Sequence, residues 1–161
     1  MGHNILNLGS SPKKKADNFK RFEELMAFVY YDFADENKYF QITIDGEDYL
    51  YKIYAAGFIK SDLVSVFYSG DNNEDELQYQ INDLLKHSIY DYDVDVNVED
   101  SIATLITCTR FFGSQDDDFF VSGRLVRKNE KISDYNVKKN DNYNKVEKIM
   151  KGDENDEEET A

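Results

Sequence analysis

The chain has 161 residues, of which 19 are basic and 33 acidic, so its formal net charge at pH 7 is -14. Such an excess of acid repels nucleic acids and anionic membrane surfaces, so we expect neither as a direct partner. The single cysteine, Cys108, excludes an internal disulfide and a cysteine-rich zinc site. The 12 tyrosines and 11 phenylalanines are sufficient for the core of one globular domain.

Two segments have the apolar spacing of amphipathic helices. The first predicted helix spans roughly Ala16 to Asp32. The second contains Leu77 to Leu85, and either Asn72 or Asn73 is a suitable N-cap because acidic residues follow in the first turn.

Four segments are predicted to be strands. Tyr39 to Ile44 and Tyr49 to Ile59 alternate between apolar and polar residues, and Asp45-Gly46 between them has the composition of a hairpin turn. Ile102 to Cys108 is rich in β-branched residues, and Phe119 to Val126 follows after a polar loop. The sequence therefore predicts a mixed α/β, mainly β fold with mostly antiparallel pairing.

The composition changes after Arg127. Lys128 to Lys151 is polar and rich in lysine and asparagine, and Asp153 to Ala161 contains six carboxylates and no base. A segment with such charge repels itself and buries little apolar surface. We therefore expect one folded domain over residues 1–127 and a largely disordered polar and acidic tail over residues 128–161.

Few residues are available for covalent chemistry. Cys108 ends a predicted strand, where a thiol can point into a cleft and a nearby base or cation would stabilise its thiolate. Taken alone, a single cysteine on a strand is more often a small buried core residue. By the same reasoning His3 is typical of a flexible chain start, and His87 of a helix C-terminus, where the dipole favours it.

Acidic residues alternate with apolar ones from Asp91 onward, through Asp93 and Asp95, and Asp100 follows. The segment lacks the glycine and terminal glutamate of an EF-hand calcium loop. We interpret it as an exposed strand edge, and we expect no metal site.

Four segments together resemble the sortases, the cysteine transpeptidases that attach proteins to the cell wall of Gram-positive bacteria. Thr104–Cys108, TLITC, is similar to the family's TLxTC motif, and Gly2–Asn4 resembles the G-H-N at its catalytic histidine. His87–Asp91 resembles the stretch after the long helix that class B members insert before the cysteine strand. Phe120–Val126 is similar to the strand that closes the class B domain.

The resemblance covers roughly His3 to Arg127 and implies a sortase-like β-barrel, closed or partly open, with inserted helices. Residues 1–127 would be the C-terminal part of the catalytic domain, with the front half of the barrel missing. Such enzymes work on the extracellular face of the cell membrane behind an N-terminal anchor. We identify no anchor and no signal peptide in this sequence.

The resemblance also implies a reaction. Cys108 would attack the threonine carbonyl of an LPxTG- or NPxTG-like sorting signal and form an acyl thioester, which an amine of peptidoglycan or a pilin then accepts. His3 would act as acid toward the leaving amine and as base toward the incoming one. No cofactor and no metal is needed. The implied partners are the sorting-signal peptide of a surface protein and the acceptor amine.

One position departs from the family pattern. Asp118 stands where sortases have the arginine that steadies the oxyanion, and a carboxylate would repel that charge. Arg110, two residues after Cys108, would face the same side of an extended strand. We therefore predict a reciprocal exchange, in which Arg110 supplies the guanidinium and Asp118 faces it from the neighbouring strand.

Three alternatives stay open. Arg110 could be a surface residue and the chain an inactive, truncated sortase remnant. The chain could be a non-catalytic peptide-binding module that keeps the groove without turnover. The TLITC sequence could also be coincidental in an unrelated small domain.

Overall fold

The structure is a computed structural model that describes residues 2–20, 22–62 and 73–159, with side chains described as far as residue 152. In chain order its elements are a 3₁₀ helix (Phe22–Val29), α1 (Tyr31–Glu36), β1 (Tyr39–Ile44), β2 (Glu47–Lys60), α2 (Glu74–His87), β3 (Tyr90–Tyr92), β4 (Ile102–Thr109), β5 (Asp117–Leu125), β6 (Val137–Lys139) and α3 (Tyr143–Glu159). Four strands form an antiparallel sheet in the order β1-β2-β5-β4, and β3 pairs with β6 in a small second sheet. The predicted mixed, mainly β fold with antiparallel pairing is confirmed.

The hairpin between β1 and β2 is confirmed. Asp45 and Gly46 both have positive φ, 52° and 84°, as a two-residue turn between right-twisted strands requires. The turn sets the register, which runs from Ile44 opposite Glu47 to Tyr39 opposite Lys52.

Strand β5 is the centre of the molecule. It pairs with β2 on one side and with β4 on the other, and every residue from Asp117 to Arg124 is buried. Alternate side chains of β5 enter two different apolar clusters. Phe119 and Val121 pack in the cluster that contains residues of the 3₁₀ helix. Phe120 packs in the second cluster, which contains Leu84 of α2. Both faces of the sheet are therefore covered along this strand.

The first helix differs from the prediction of Ala16 to Asp32. Helical structure begins only at Phe22, as the 3₁₀ helix, and α1 follows after Tyr30, whose backbone is extended with φ -88° and ψ 124°. The apolar spacing does mark a buried face, because Leu25 and Val29 are buried. The predicted boundaries are wrong because side-chain hydrogen bonds from Asn7, described below, hold the preceding residues in a loop.

The second helix is confirmed as α2. The side chain of Asn73 accepts a hydrogen bond from the Glu76 backbone N–H at 2.9 Å, which makes Asn73 its N-cap. Asn72, the other predicted cap, lies outside the described residues.

The folded part extends past Arg127, where the sequence predicts it to end. Strand β6 pairs with β3, and four widely spaced apolar residues join the main core, namely Tyr135, Val137, Tyr143 and Val146. Their convergence on one core is a tertiary property that local composition does not reveal. The side chains of the acidic end, 153–161, lie outside the described residues, and the disorder predicted there stays a prediction.

Two of the four acidic residues considered for calcium, Asp95 and Asp100, bind arginines. Arg124 is only 1% exposed, and its guanidinium bonds to both carboxylate oxygens of Glu130 at 2.7 and 2.9 Å and to Asp95 at 3.3 Å. Arg127 pairs with Asp95 and Asp100. The Arg124 guanidinium holds the pKa of Glu130 well below its usual range. These acids therefore neutralise buried and half-buried cations.

Among the described residues, the structure contains no helix with the length and apolar character that crossing a membrane requires.

The close approach of β2 to the end of α2 requires a glycine at position 57. A Cβ added to Gly57 would lie 2.1 Å from the backbone oxygen of His87. We expect Gly57→Ala to destabilise the fold by about 1–3 kcal/mol, since the backbone must move to accept the methyl group. Thermal unfolding should show a melting temperature lowered by several degrees.

Gly9→Ala is the matched control, because a Cβ at Gly9 would meet nothing within 4 Å. Equal melting temperatures for the two variants would contradict the packing argument.

Candidate functional site

The start of the chain lies along the free edge of β4. The backbone N–H of Gly2 donates to the Ile106 oxygen at 2.8 Å, and the Thr107 hydroxyl donates to the Gly2 oxygen at 2.9 Å. This bridge between Gly2 and Thr107 is parallel, so the two backbones advance together. His3 therefore comes into register with Cys108.

The side chain of Asn4 fixes this arrangement. It is 3% exposed, and its amide donates to the backbone oxygens of Asn7 at 2.9 Å and Cys108 at 3.3 Å. In return the Asn4 backbone oxygen accepts from the Cys108 thiol at 3.6 Å. Asn4 thus ties the segment that carries His3 to the backbone of the cysteine.

Asn7 extends the same network. Its amide donates to the backbone oxygens of Lys13 at 2.9 Å and Glu23 at 2.8 Å, and its side-chain oxygen accepts from the Lys13 N–H. The loop is thereby attached to the 3₁₀ helix. Sequence reasoning missed both structural asparagines, and the available signal was two amides at i and i+3 in an otherwise apolar N-I-L-N run.

The two predicted reactive side chains differ in exposure. His3 is exposed, and its backbone oxygen accepts from the Phe22 N–H at 3.3 Å, whereas Cys108 is half-buried. The part of the chain that the structure describes shows no hydrogen bond between the imidazole and the thiol. The structure therefore places the two residues at one sheet edge with the imidazole open to solvent.

Asp118 lies directly opposite Cys108 in the β4–β5 ladder. Opposed residues of an antiparallel pair point to the same face, with Cβ atoms about 4.5–5.5 Å apart. Asp118 is 2% exposed, and no hydrogen-bond partner is found for its Oδ2 atom among the described residues. Burial raises the pKa of Asp118, the neighbouring Asp117 raises it further, and a hydrogen bond with the Ser61 side chain opposes the shift.

Arg110 is not where the reciprocal exchange requires it. It follows the end of β4, its side chain is exposed, and its backbone N–H donates to the Leu8 oxygen at 2.8 Å. Within the described parts of the chain, no ion pair joins Arg110 to Asp118. A facing guanidinium would also lower the pKa of Asp118, whereas the shift is upward. The predicted contact between the two residues is therefore absent from the structure.

The His87 ring bonds within its own helix. His87 ends α2, with its Nδ1 atom 2.8 Å from the backbone oxygen of Asp83. This agrees with its interpretation as a helix C-terminal residue.

A cavity of about 240 Å³ lies between α2 and the sheet. Its lining includes Leu84 of α2 and Thr104, which is on the same face of β4 as Cys108. The Thr104 hydroxyl is 2.8 Å from that of Ser122, which donates to the Tyr54 hydroxyl at 2.9 Å. Burial raises the pKa of Tyr54 to about 12. The cavity is thus lined by aliphatic, hydroxyl and amide groups together with one carboxylate, that of Asp100.

Solved structures of class B sortases have a similar fold. Sortase B of Clostridium perfringens is 21% identical with a TM-score of 0.62, and the match covers 78% of this chain and 62% of that chain. Sortase B from the type II pilus of Streptococcus pneumoniae is 20% identical with a TM-score of 0.59, covering 71% and 64% respectively. Sortase B of Listeria monocytogenes is 19% identical with a TM-score of 0.56, covering 68% and 59%.

No family model and no curated protein matches the chain. The chain spans less than two thirds of the length of each of these three sortases. At such identities the similarity shows the fold: this chain has a sortase-like fold of the class B type, as its motifs predicted.

The raised pKa of Asp118 predicts a pH-dependent stability. Because burial favours the neutral acid in the folded state, the stabilisation is complete below the unfolded-state pKa of about 3.9 and is lost as the pH rises through the folded-state pKa. Asp118→Asn cannot ionise. We therefore expect its melting temperature to rise relative to the wild type between pH 4 and pH 8.

Asp117→Asn is the control on the same strand. The Asp117 carboxylate bonds to Lys60 Nζ at 2.6 Å, so its removal should lower stability at neutral pH. If the difference between Asp118→Asn and the wild type stays constant over this pH range, Asp118 does not titrate as proposed.

Proposed function

We propose that this chain is the C-terminal part of a class B-like sortase catalytic domain. The reaction is transpeptidation: cleavage of an LPxTG- or NPxTG-like sorting signal after threonine, through an acyl thioester on Cys108. The observation that carries the proposal is the bridge between Gly2 and Thr107, which sets the G-H-N and TLITC motifs side by side on a sortase-like fold. Coincidental likenesses in two distant short motifs would not produce neighbouring backbones.

We assign the steps of the reaction to two side chains. The Cys108 thiol gives its proton to His3, the sulfur attacks the threonine carbonyl carbon, and the resulting oxyanion collapses to the thioester as the amine leaves. His3 protonates that amine and later accepts a proton from the acceptor amine. An exposed imidazole in register with a half-buried thiol suits this sequence, because both amines must reach the imidazole from solvent.

The peptide and the acceptor amine are part of the proposal. Staphylococcus aureus sortase B has been solved with a substrate, and a sortase B has been solved with triglycine. For this chain we propose a sorting-signal peptide bound along β4 toward the cavity at Thr104, and an amine of peptidoglycan or a pilin as acceptor. In its complete form the enzyme would act on the extracellular face of the cell membrane.

A second candidate is a non-catalytic, peptide-binding remnant. The position of Asp118 opposite Cys108 favours it, because an ionised carboxylate there would oppose both the thiolate and the oxyanion. The two candidates differ in whether a covalent intermediate forms.

Mass spectrometry of the intact chain distinguishes them. After incubation with a peptide that contains LPxTG or NPxTG, we expect the wild type to gain the acyl part of the peptide on Cys108, and Cys108→Ala to gain nothing. His3→Gln should acylate about 10²–10⁴-fold more slowly, since proton transfer to the leaving amine is lost.

His87→Gln is the matched control and should acylate at the wild-type rate, because His87 bonds within its own helix. Peptide binding without any adduct in the wild type would reject the transpeptidase and support the binding module.

We further propose that Arg110 is the donor to the oxyanion, reaching it from the end of β4. Loss of one such donor typically lowers the rate by about 10²–10³-fold, so Arg110→Ala should slow acylation by this factor. Arg110→Lys should retain part of the rate, because it keeps the charge without the planar fork. Acylation by Arg110→Ala at the wild-type rate would remove Arg110 from the mechanism.

A further inference from the structure

The surroundings of Asp118 indicate how an acid can stand beside a reactive thiol. Asp118 and Cys108 are directly opposed, so their side chains share one face of the sheet. The carboxyl group is buried and takes one hydrogen bond from Ser61, while no partner is found for Oδ2 in the described residues. One carboxyl oxygen is therefore available to the neighbouring strand.

No cation neutralises this carboxyl group in the described structure. The titratable and charged groups on the elements around it are Asp116 and Asp117 on the β5 side, Lys60 and Asp62 at the end of β2, Cys108 and Arg110 on the β4 side, and His3 on the N-terminal segment. The Lys60 ammonium bonds to Asp117, and Arg110 is exposed. An ionised Asp118 would be a buried charge beside a second carboxylate, which is costly.

We propose that Asp118 is a positioning residue for Cys108: its carboxyl group is neutral in the folded protein and donates a hydrogen bond to the sulfur once the thiol has lost its proton. The inference builds on the proposed role of Cys108 as nucleophile. The thiol proton leaves to His3 or to solvent, and Asp118 keeps its own proton throughout. No bond to Asp118 forms or breaks.

The geometry allows this exchange of partners. The thiol donates to the Asn4 oxygen at 3.6 Å on one side of β4, and Asp118 lies on the other side. A thiolate no longer has a proton to donate to Asn4. Rotation about the Cα–Cβ bond of Cys108 would then turn the sulfur toward β5, where a neutral acid is a donor and an ionised acid would repel it.

Alkylation of Cys108 by iodoacetamide tests the proposed hydrogen bond in the full chain. Only the thiolate attacks the reagent, with iodide as the leaving group, so the rate depends on how well the thiolate is stabilised. At pH 7 we expect Asp118→Asn, which keeps a neutral donor, to react within about threefold of the wild type. Asp118→Ala should react about tenfold more slowly, the size of effect expected for a lost hydrogen bond to a charged group. His87→Gln is the control and should match the wild type, because His87 bonds within its own helix.

The opposite order of alkylation rates would overturn the proposal. If Asp118 is ionised, both Asp118→Asn and Asp118→Ala will react faster than the wild type, since a repelling charge is removed. Equal rates for Asp118→Ala and the wild type would also overturn it. The pH profile separates positioning from a structural role: the wild-type rate should fall behind that of Asp118→Asn as the pH rises and Asp118 ionises.

A second measurement does not depend on any variant folding. The side-chain carboxyl ¹³C resonance of Asp118 in the wild type should titrate above the ordinary aspartate value of about 3.9, and titration at or below that value overturns the proposal. Neither measurement uses a sorting peptide. The expected alkylation pattern without a peptide adduct would therefore reject the transpeptidase while leaving the Cys108–Asp118 pair intact.

Discussion

The register of β5 against its two neighbours is the constraint on which the rest of the molecule depends. A slip by one residue would move every side chain of β5 to the other face of the sheet. Phe119 and Phe120, which enter different apolar clusters, would both be misplaced, so burial on two faces enforces the pairing. The same pairing sets Asp118 opposite Cys108. The apolar packing of Phe119 and Phe120 thus determines which residue of β5 lies opposite Cys108.

The outer edge of β4 adds a second constraint. An unpaired strand edge is open to association with other chains, and here residues 2–8 cover part of it through Gly2, Asn4 and Leu8. The hydrogen bonds that protect the edge also bring His3 beside Cys108. The same hydrogen bonds therefore cover the strand edge and assemble the candidate site. The buried Asn4 amide makes two of these bonds, to the backbone oxygens of Asn7 and Cys108.

Local patterns predicted what local physics determines. The β1–β2 turn requires two positive φ angles, which Asp45-Gly46 accommodates, and Asn73 caps α2 from within its own first turn. The segment after Arg127 was misjudged because residues such as Tyr135 and Val146 are apolar only singly and become a core through distant partners. In the site, the motifs predict that His3 and Cys108 meet; the described contacts bring their backbone segments to one sheet edge, and the meeting of the two side chains stays a prediction. The exposure of Arg110 and the burial of Asp118 depend on tertiary packing, which spacing along one strand cannot supply.

The two ends of β5 show contrasting treatments of buried charge. At its C-terminal end Arg124 is fully buried, and the fold provides carboxylates from Asp95 and Glu130 to neutralise it. At its N-terminal end Asp118 is as deeply buried, yet the described residues provide a hydroxyl and no cation. Arg124 therefore has partners of opposite charge, whereas Asp118 has none among the described residues. The simplest physical account of the difference is that Asp118 carries no charge, and a neutral acid beside a thiol is a hydrogen-bond donor for its thiolate.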